Sequence, residues 1–469
     1  MSAEREVDVV VVGAGPVGEN VADRAARTGL SVVVVEKELV GGECSYWACM
    51  PSKALLRSGQ ALAAARRLPG AAEAVTGGLD AAEVLQRRTS FTHDWDDSSQ
   101  AQWLESAGLS LVRGTARLDG PRRVRVGDEV LVARHAVVLS TGSVPVVPDV
   151  PGLADSSPWT SREATSAKTV PGRLFVLGGG VVGVELAQAW ARLGSTVTLA
   201  ARTGLLGGQE EFAGELVAGA LRADGVDVRL GASPTRVTRE GTGPFTVELS
   251  DGSRVEADEF LVATGRRPAT SGLGLETVGL EDGGSLSVDD TGLVDGVEGG
   301  WLYATGDVSG RPKLTHQGKY AGRATGDAIA ARAAGPIETP AWSRYTATAD
   351  HHAVPQVVFT DPEVAQVGLT AAQARERGLD VKVVDYEIGN VAGASLVADG
   401  YTGTARMVVD EDRRVIVGVT FVGQDVAELL HAATVAIVGE VPLERLWHAV
   451  PSYPTISEVW LRLLETYGL

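Results

Sequence analysis

The stretch VDVVVVGAGPVGENVADRAARTGLSVVVVE, residues 7–36, decides the fold. Val7 to Val12 and Ser31 to Val35 are short β-branched runs, which are typical of strands buried in a parallel sheet. An Ala-rich segment from Glu19 to Thr28 lies between them and ends before Gly29, as a helix would. The order strand, helix, strand predicts a βαβ unit at the start of the chain.

Three glycines give this unit a nucleotide-binding signature. Gly13, Gly15 and Gly18 form a GxGxxG pattern between the first strand and the helix. Glycine there permits a tight turn and lets the backbone approach a pyrophosphate, which the helix N-terminus attracts. Glu36 ends the second strand, where its carboxylate can accept hydrogen bonds from ribose hydroxyls. The unit is therefore predicted to bind a dinucleotide.

A second βαβ unit begins at RLFVLGGGVVGVE, residues 173–185. Gly178, Gly180 and Gly183 repeat the same fingerprint. The next strand, Thr196 to Ala200, is followed by Ala201 and Arg202 rather than by an acidic residue. An acidic residue would hold an unmodified ribose, whereas an arginine suits a 2′-phosphate. This pattern favours NADPH over NADH at the second unit.

The two units form an internal repeat. Strand-like segments at a period of two residues run from 226 to 265, and Thr264-Gly265 repeats an earlier Thr141-Gly142. Both halves then read as strand, GxGxxG, helix, strand, β-ribbon, strand and Thr-Gly. We expect an α/β protein with two Rossmann-like domains, and two dinucleotides that face each other in an electron relay.

The later part of the chain returns to the first domain and then adds another. WLYATGDVSG, residues 301–310, places Asp307 after a short strand, where it can hydrogen-bond a flavin ribityl chain. Pro336 and Pro340 mark a boundary, and an α+β pattern follows. The predicted segments are residues 1–147 and 267–340 for an FAD domain, 148–266 for an NAD(P) domain, and 341–469 for a separate α+β domain.

Both cysteines of the chain lie in GGECSYWACMPSK, residues 41–53. Pro51 suits the first turn of a helix that runs through Lys53, so Cys49 lies at its N-terminal end. The partial positive charge there lowers a thiol pKa and favours the thiolate. Their closeness suggests a redox pair or half of a metal site. The spacing is wider than in CxxC, and zinc would require two further ligands. The alternative is that Cys44 and Cys49 are inert core thiols.

Composition limits the classes of function. The formal net charge is −18 at pH 7, which argues against nucleic acid and anionic membrane surfaces as partners. No apolar run is long enough to span a bilayer, and no basic region precedes the first apolar run. We therefore expect a soluble cytoplasmic protein. Residues 69–135 contain no evident chemistry, and His93 and His135 are interpreted as surface or structural residues.

These motifs together resemble the class I pyridine nucleotide–disulfide oxidoreductases, the family of dihydrolipoamide dehydrogenase, glutathione reductase and mercuric reductase. The resemblance runs nearly end to end. GGECSYWACMPSK is similar to the specific GG-x-C-x4-C-x-PSK motif of that family. GAGPVG with Glu36 and the later ATGD resemble its FAD motifs, GGGVVGVE its nicotinamide motif, and VVFTDPEVAQVG the start of its dimer-interface domain.

The resemblance implies roles for individual residues. Cys49 would be the charge-transfer thiolate beside the flavin, and Cys44 the interchange thiol that meets the substrate. Lys53 and Glu185 would pair beside flavin and nicotinamide and tune the flavin potential. The protein would be a homodimer whose C-terminal segment completes the partner's site. The predicted cofactor-binding residues are Gly13, Gly15, Gly18, Glu36, Gly42, Thr141, Gly142, Gly178, Gly180, Gly183, Arg202, Gly265, Gly306 and Asp307.

The chain departs from the family at its C-terminal motif. Disulfide reductases carry His-Pro-Thr-x-x-Glu, in which the histidine is the general acid–base and the glutamate orients it. Here the run is Tyr453-Pro454-Thr455-Ile456-Ser457-Glu458, with tyrosine at the histidine position. A phenol has a pKa near 10 and is a poor base at neutral pH. His448 lies outside the motif and is interpreted as structural. Mercuric reductases resemble the tyrosine pattern but add a C-terminal cysteine pair, which this chain lacks.

Three functions follow as hypotheses. The leading one is an FAD-dependent NAD(P)H oxidoreductase that reduces the Cys44–Cys49 disulfide and then a disulfide, a metal ion or another small acceptor. The second is a flavin-only reductase of quinones, in which the cysteines are vestigial or regulatory. The third is a dihydrolipoamide dehydrogenase subunit of a larger complex. Trp47, between the cysteines, would make the pocket aromatic.

Overall fold

A computed structural model describes residues 3–469, and these residues divide into two compact units. Unit 1 comprises the described residues up to Pro51, together with Thr89–Pro145 and Arg266–His351. Unit 2 comprises Ser52–Arg88, Val146–Gly265 and His352–Leu469. Within residues 3–469, no helix is both long and apolar enough to cross a bilayer.

The β-strands come first. In chain order they are β1 Ala3–Val12, β2 Val32–Glu36, β3 Ser110–Arg113, β4 Ala116–Leu118, β5 Arg123–Val126, β6 Glu129–Leu139, β7 Ser143–Pro145, β8 Arg173–Leu177, β9 Thr196–Ala201, β10 Asp227–Leu230, β11 Pro234–Arg239, β12 Phe245–Leu249, β13 Arg254–Ala257, β14 Glu259–Val262, β15 Arg266–Pro268, β16 Leu302–Ala304, β17 Gln356–Val358, β18 Glu363–Gly368, β19 Val381–Glu387, β20 Thr404–Asp410 and β21 Val415–Gly423.

The α-helices connect and flank these strands, with short 3-10 turns between some of them. In chain order they are α1 Pro16–Ala26, α2 Gly42–Tyr46, α3 Cys49–Arg66, α4 Ala81–Phe91, α5 Ser98–Ser106, α6 Ser161–Ser166, α7 Val181–Arg192, α8 Glu211–Ala223, α9 Thr315–Ala334, α10 Ala371–Glu376, α11 Ala392–Val397, α12 Leu430–Val438, α13 Leu443–Leu446 and α14 Val459–Tyr467.

Unit 1 is built on one sheet in the order β3-β2-β1-β6-β5-β4, with β16 also paired to β6. The pairs β1–β2, β1–β6, β2–β3 and β6–β16 are parallel, while β4, β5 and β6 form an antiparallel ribbon. Valines of β1, β2 and β6 are buried on both faces of the sheet. The continuous β-branched runs reflect this two-sided burial.

Unit 2 contains a second parallel sheet in the order β10-β9-β8-β14. The antiparallel ribbon β11-β12-β13 lies between β10 and β14 in the chain. Helix α7 follows β8 as α1 follows β1, so the two nucleotide units share one topology. The C-terminal part of unit 2 is an antiparallel sheet in the order β17-β18-β21-β20-β19. Its apolar face packs with α12 and α14 residues such as Leu430 and Leu463.

The predicted fold class is confirmed: two Rossmann-like domains and a C-terminal α+β domain. The segment VVFTDPEVAQVG forms two strands, because residues 359–362 separate β17 from β18. Helix α9 begins at Thr315, after Pro312. The predicted domain boundaries stay a prediction.

Candidate active site

The first glycine loop leaves one side open. A Cβ on Gly13 would lie 2.4 Å from the carbonyl oxygen of Ser140, and one on Gly18 would lie 1.9 Å from that of Gly13. A Cβ on Gly15, by contrast, would have no protein atom within 4 Å. Gly15 is also the N-cap of α1 and supplies no side-chain cap to the helix. The open side and the uncapped helix N-terminus fit a pyrophosphate.

Glu36 lies directly beside this loop. One of its carboxylate oxygens accepts a hydrogen bond from the backbone N–H of Ala14 at 2.8 Å, and the other accepts one from Glu38 at 2.8 Å. The side chain is buried at the end of β2. Glu36 therefore holds the glycine loop in shape, and carboxylate oxygens have further lone pairs with which to accept ribose hydroxyls.

The second glycine loop repeats this geometry within unit 2. A Cβ on Gly178 would lie 2.3 Å from the carbonyl oxygen of Ala263, and one on Gly183 would lie 1.9 Å from that of Gly178. Gly180, the N-cap of α7, has open space around its Cβ position. Arg202 follows β9 and is exposed. The loop and the arginine therefore belong to the same unit.

Each Thr-Gly pair forms hydrogen bonds to another segment of the chain within its own unit. Thr141 Oγ1 donates to the carbonyl of Ala269 at 2.8 Å, and the N–H of Ala269 donates to the carbonyl of Gly142 at 3.0 Å. Thr264 Oγ1 donates to the carbonyl of Val146 at 2.9 Å, and the N–H of Val146 donates to the carbonyl of Gly265 at 3.0 Å. The repeated motif therefore makes the same bonds twice.

A polar chain connects the second flavin motif to the cysteine segment in unit 1. Ser143 Oγ donates to Asp307, which follows Gly306 in the turn after β16. Arg266 donates to Ser143 Oγ at 2.8 Å and lies 3.3 Å from the carboxylate of Glu43. Glu43 precedes Cys44. The predicted flavin residue Asp307 and the cysteine segment are thus joined through Arg266, which the sequence did not single out.

Both cysteines are present as thiols, Cys44 within α2 and Cys49 at the first position of α3. Thr315 Oγ1, at the start of α9, lies 3.2 Å from Cys49 Sγ and can donate to a thiolate there. A hydrogen bond with Cys49, together with burial, raises the pKa of the Cys44 thiol. Cys49 lies at the N-terminus of α3, whose partial positive charge favours a thiolate there.

Lys53 and Glu185 form an ion pair in unit 2. Lys53 Nζ lies 2.6 Å from Glu185 Oε2, and Glu185 Oε1 accepts the backbone N–H of Phe359 at 2.9 Å. The Glu185 side chain is 3% exposed, whereas that of Lys53 is 34% exposed. Lys53 also lies 5.0 Å above the Phe359 ring. The pairing implied by the resemblance is present, and Lys53 and Cys49 share the first turns of α3.

The C-terminal motif lies in unit 2. Tyr453 is 77% exposed. Glu458 is buried and accepts a hydrogen bond from Arg462 Nη2 at 2.6 Å, while its second carboxylate oxygen is buried with no hydrogen-bond partner among residues 3–469. Gly42, in α2, lies close to the first glycine loop, since its Cβ would be 3.0 Å from Gly15 Cα.

Several contacts at the cysteine segment involve residues that sequence reasoning passed over. Thr315 and Arg266 are two of them. The segment 95–100, taken as free of chemistry, also contacts residues 40–46 through Trp95, Asp97 and Gln100. No spacing signal could have found these residues, because each is at least 49 positions away from its partner in the chain.

Two family models match the chain. Residues 7–322 match the model described as pyridine nucleotide-disulphide oxidoreductase, and residues 354–463 match the dimerisation domain of the same family. Relatives include a dihydrolipoyl dehydrogenase of Haloferax volcanii, 34% identical over 98% of this chain and 95% of its own length. A mercuric reductase of Streptomyces lividans is 31% identical over 100% of this chain and 97% of its own.

A solved structure also resembles the chain throughout. The HOCl-induced flavoprotein disulfide reductase RclA from Escherichia coli superposes with a TM-score of 0.83 at 25% identity. The match covers 98% of this chain and 99% of that one.

Proposed function

This chain belongs to the pyridine nucleotide–disulphide oxidoreductase family, and on that premise we propose that it uses NADPH to reduce the Cys44–Cys49 disulfide and then a small acceptor. Membership makes it a flavin-dependent oxidoreductase with a disulfide redox centre. The nucleotide, the residue roles and the acceptor are the proposed parts. The position of Cys49 at the N-terminus of α3, with Thr315 Oγ1 3.2 Å from its sulfur, is the observation that carries the proposal.

The glycine loops supply the cofactor sites. Bound FAD would supply the chemistry that links a two-electron hydride donor to the cysteine disulfide. Gly13, Gly15 and Gly18 would hold its pyrophosphate at the N-terminus of α1, with Glu36 at the ribose and Asp307 at the ribityl chain. The open Cβ position of Gly15 supports this assignment. The electron balance is NADPH, a proton and the disulfide on one side, and NADP⁺ and two thiols on the other.

The two cysteines would divide the work. Cys49 would be the thiolate beside the flavin, stabilised by the N-terminus of α3 and by Thr315. Cys44 would meet the acceptor, as the resemblance implies; burial and its hydrogen bond with Cys49 raise the pKa of this thiol, which must lose its proton before it attacks. Lys53, fixed by Glu185, would present a positive charge near the flavin and raise its tendency to accept electrons.

Tyr453 narrows the choice of acceptor. Reducing a disulfide acceptor releases two thiolates that need protons, which a histidine would supply and Tyr453 supplies poorly at neutral pH. Reducing a soft metal ion needs no such proton donor: two electrons pass to the metal ion while the dithiol becomes a disulfide and releases two protons. Thiolate sulfurs are suitable ligands for soft ions. We place a soft metal ion ahead of lipoamide or glutathione disulfide as the acceptor, in line with the similarity to mercuric reductases.

A homodimer belongs to the same proposal, since residues 354–463 match the family's dimerisation domain. The electron acceptor and the electron donor would both be small molecules. A cytoplasmic location also stays a prediction, as does the absence of nucleic-acid and membrane partners.

The test is an anaerobic titration of the purified holoenzyme with NADPH and, in parallel, with NADH. Two-electron reduction should produce long-wavelength absorbance that persists in Cys44→Ser and disappears in Cys49→Ser. Absence of flavin would overturn the whole proposal, and a band that survives Cys49→Ser would overturn the assignment of the thiolate. Preference for NADH, or unchanged preference in Arg202→Glu, would contradict the role given to Arg202.

The acceptor is tested by steady-state reduction of Hg²⁺, lipoamide, glutathione disulfide and a benzoquinone at equal concentrations. We expect Hg²⁺ reduction to be fastest and to require both cysteines. Quinone reduction that exceeds Hg²⁺ reduction and persists in the Cys44→Ser, Cys49→Ser double variant would instead establish the flavin-only hypothesis.

A further inference from the structure

The helix that contains Cys44 cannot define its own geometry. Helix α2 has five residues, Gly42–Tyr46, and a helix this short is unstable without tertiary contacts. Yet the position of Cys44 relative to Cys49 must be defined closely for the two sulfurs to join. The contacts that anchor residues 40–46 are therefore part of the redox centre.

One short segment anchors this region on both sides of Cys44. The Trp95 indole N–H donates to the carbonyl of Tyr46 at 3.2 Å, at the C-terminal end of α2, where helix carbonyls lack partners. Gln100 Nε2 donates to the Tyr46 hydroxyl at 2.9 Å. Asp97 Oδ2 accepts the backbone N–H of Val40 at 2.7 Å, before α2 begins. All of these residues belong to unit 1.

The residues just before α5, 93–97, have unusual backbone and capping geometry. Asp97 occupies the N-cap position of α5, where an aspartate usually accepts an N–H of its own helix. Here it makes no such cap; its carboxylate bonds to Val40 and pairs with Arg113 at 2.7 Å. His93, Asp94 and Trp95 all have positive φ, between 48° and 59°. A run of three non-glycine residues with positive φ is energetically unfavourable. It persists only where contacts with the surrounding structure stabilise it.

Tyr46 and Gly41 both pack closely against Gln100. The Tyr46 side chain is fully buried, so its hydroxyl depends on Gln100. Gly41 has a φ of 106°, and a Cβ there would lie 2.3 Å from Gln100 Oε1. Only glycine permits Gln100 to approach this closely. Gly41 thus accommodates the anchoring segment.

From these contacts we infer that Trp95, Asp97 and Gln100 are positioning residues for Cys44, holding residues 40–46 so that its sulfur stays beside that of Cys49. The inference rests on the proposed redox role of the two cysteines. Without the anchors α2 would sample more positions, which lowers the effective concentration of one sulfur at the other. Formation of the disulfide from the dithiol, with release of two protons and two electrons, would then be less favourable.

The test compares Trp95→Phe with Trp103→Phe in the flavin-containing holoenzyme. Trp103 lies on α5 and is 43% exposed, so its replacement controls for loss of an indole nearby. Each protein is equilibrated anaerobically in buffers of reduced and oxidised dithiothreitol. The Cys44–Cys49 dithiol fraction is then measured by alkylation and mass spectrometry.

We expect the equilibrium constant for disulfide formation to fall about three- to tenfold in Trp95→Phe, the range set by loss of one hydrogen bond, and to stay at the wild-type value in Trp103→Phe. Iodoacetamide should also alkylate Cys44 faster in reduced Trp95→Phe. Equal constants for wild type and Trp95→Phe would overturn the inference.

Two further results are also decisive. If Trp95→Phe fails to fold or loses flavin, Gln100→Met takes its place, since it removes only the bond to the Tyr46 hydroxyl; a wild-type constant there would overturn the inference. If the wild-type protein forms no Cys44–Cys49 disulfide in any buffer, the proposed function fails together with the inference. A shifted constant in either variant supports it.

Discussion

Glu19 is a buried carboxylate whose charge the fold disfavours. It follows Gly18 in α1, and one of its oxygens is buried without a hydrogen-bond partner among residues 3–469. Burial raises the pKa of Glu19 to about 7, an effect that Lys319 partly opposes and Glu36 reinforces. The group is therefore protonated in the folded state at pH values where it is ionised in the unfolded chain.

This shift predicts a pH-dependent stability. Because the pKa of Glu19 is higher in the folded state, its contribution is full below about pH 4.5 and is lost as pH rises through about 7. Glu19→Gln removes the penalty, so the variant should exceed wild type by up to about 3 kcal/mol at pH 8 and match it near pH 4. Thermal unfolding at both pH values measures this. Glu105→Gln, at an exposed site on α5, is the control, and an equal gain at both pH values would contradict the prediction.

The Lys53–Glu185 pair makes a second prediction for single residues. Lys53→Met leaves Glu185 buried with only the Phe359 N–H as a partner. We expect a loss of about 1–3 kcal/mol of unfolding free energy and a change in the flavin absorbance spectrum. Lys53→Arg keeps the charge and should lose less on both measures. Denaturant unfolding monitored by flavin fluorescence measures the unfolding free energy of each variant. Equal losses in Lys53→Met and Lys53→Arg would show that the charge of Lys53 is not the cause.

At the scale of elements, the glycines of a single loop differ in what surrounds them. Within the second loop, Gly183 is packed against the backbone of Gly178, whereas Gly180 borders open space. Gly180 has a φ of −80°, which alanine readily adopts. Gly183 is therefore required for packing, whereas the position of Gly180 leaves room for a ligand.

We predict opposite outcomes for the two alanine substitutions. Gly183→Ala forces a carbonyl contact that cannot relax cheaply, so it should lower the unfolding free energy by about 1–3 kcal/mol or more. Gly180→Ala should leave the melting temperature nearly unchanged but raise KM for NADPH by roughly tenfold, about 1.4 kcal/mol of binding. Melting curves and steady-state kinetics together test this pair. Normal KM in Gly180→Ala would mean that the nucleotide does not approach this loop.

Helices α1 and α9 show a further element-scale feature. Gly322 and Gly326 of α9 lie against the backbone of α1, since Cβ atoms there would come within 2.9 Å and 2.6 Å of the carbonyls of Val17 and Val21. Small residues allow this close helix packing. It also places Thr315, at the start of α9, in a defined position beside Cys49.

On the scale of the whole molecule, the exposed apolar residues of the C-terminal domain predict the oligomeric state. Val435 on α12 is 55% exposed, and Val450 and Tyr453 are 86% and 77% exposed. In a protein with a matched dimerisation domain, such residues are expected to be covered by a second copy. Val435→Asp should therefore shift the protein from twice 48.7 kDa to a 48.7 kDa monomer.

Sedimentation velocity of the holoenzyme measures this change. Val147→Asp, at a 40% exposed site in the same unit but outside the matched domain, should remain dimeric. Loss of acceptor reduction together with dimerisation would support a site completed by the C-terminal segment of the partner. Full activity in monomeric Val435→Asp would contradict that expectation.

The sequence by itself determined the features that are encoded locally. The β-branched runs predicted β1, β2 and β8, because strands buried on both faces carry continuous apolar residues. The glycine fingerprints predicted the turns that lead into α1 and α7, and Pro51 correctly placed Cys49 at the start of α3. These signals lie within a few residues of the structure they specify.

The tertiary structure alone decided which distant side chains meet. Thr315 lies 266 positions from Cys49, and Trp95 lies 49 positions from Tyr46, so no sequence period links them. The Lys53–Glu185 pair was implied by family resemblance and not by spacing. Such contacts depend on how helices pack against sheets, and the same local sequence is compatible with many packings. The sequence therefore located the two cysteines and the start of α3, while the contacts that Thr315, Trp95 and Gln100 make with this segment were decided by the fold.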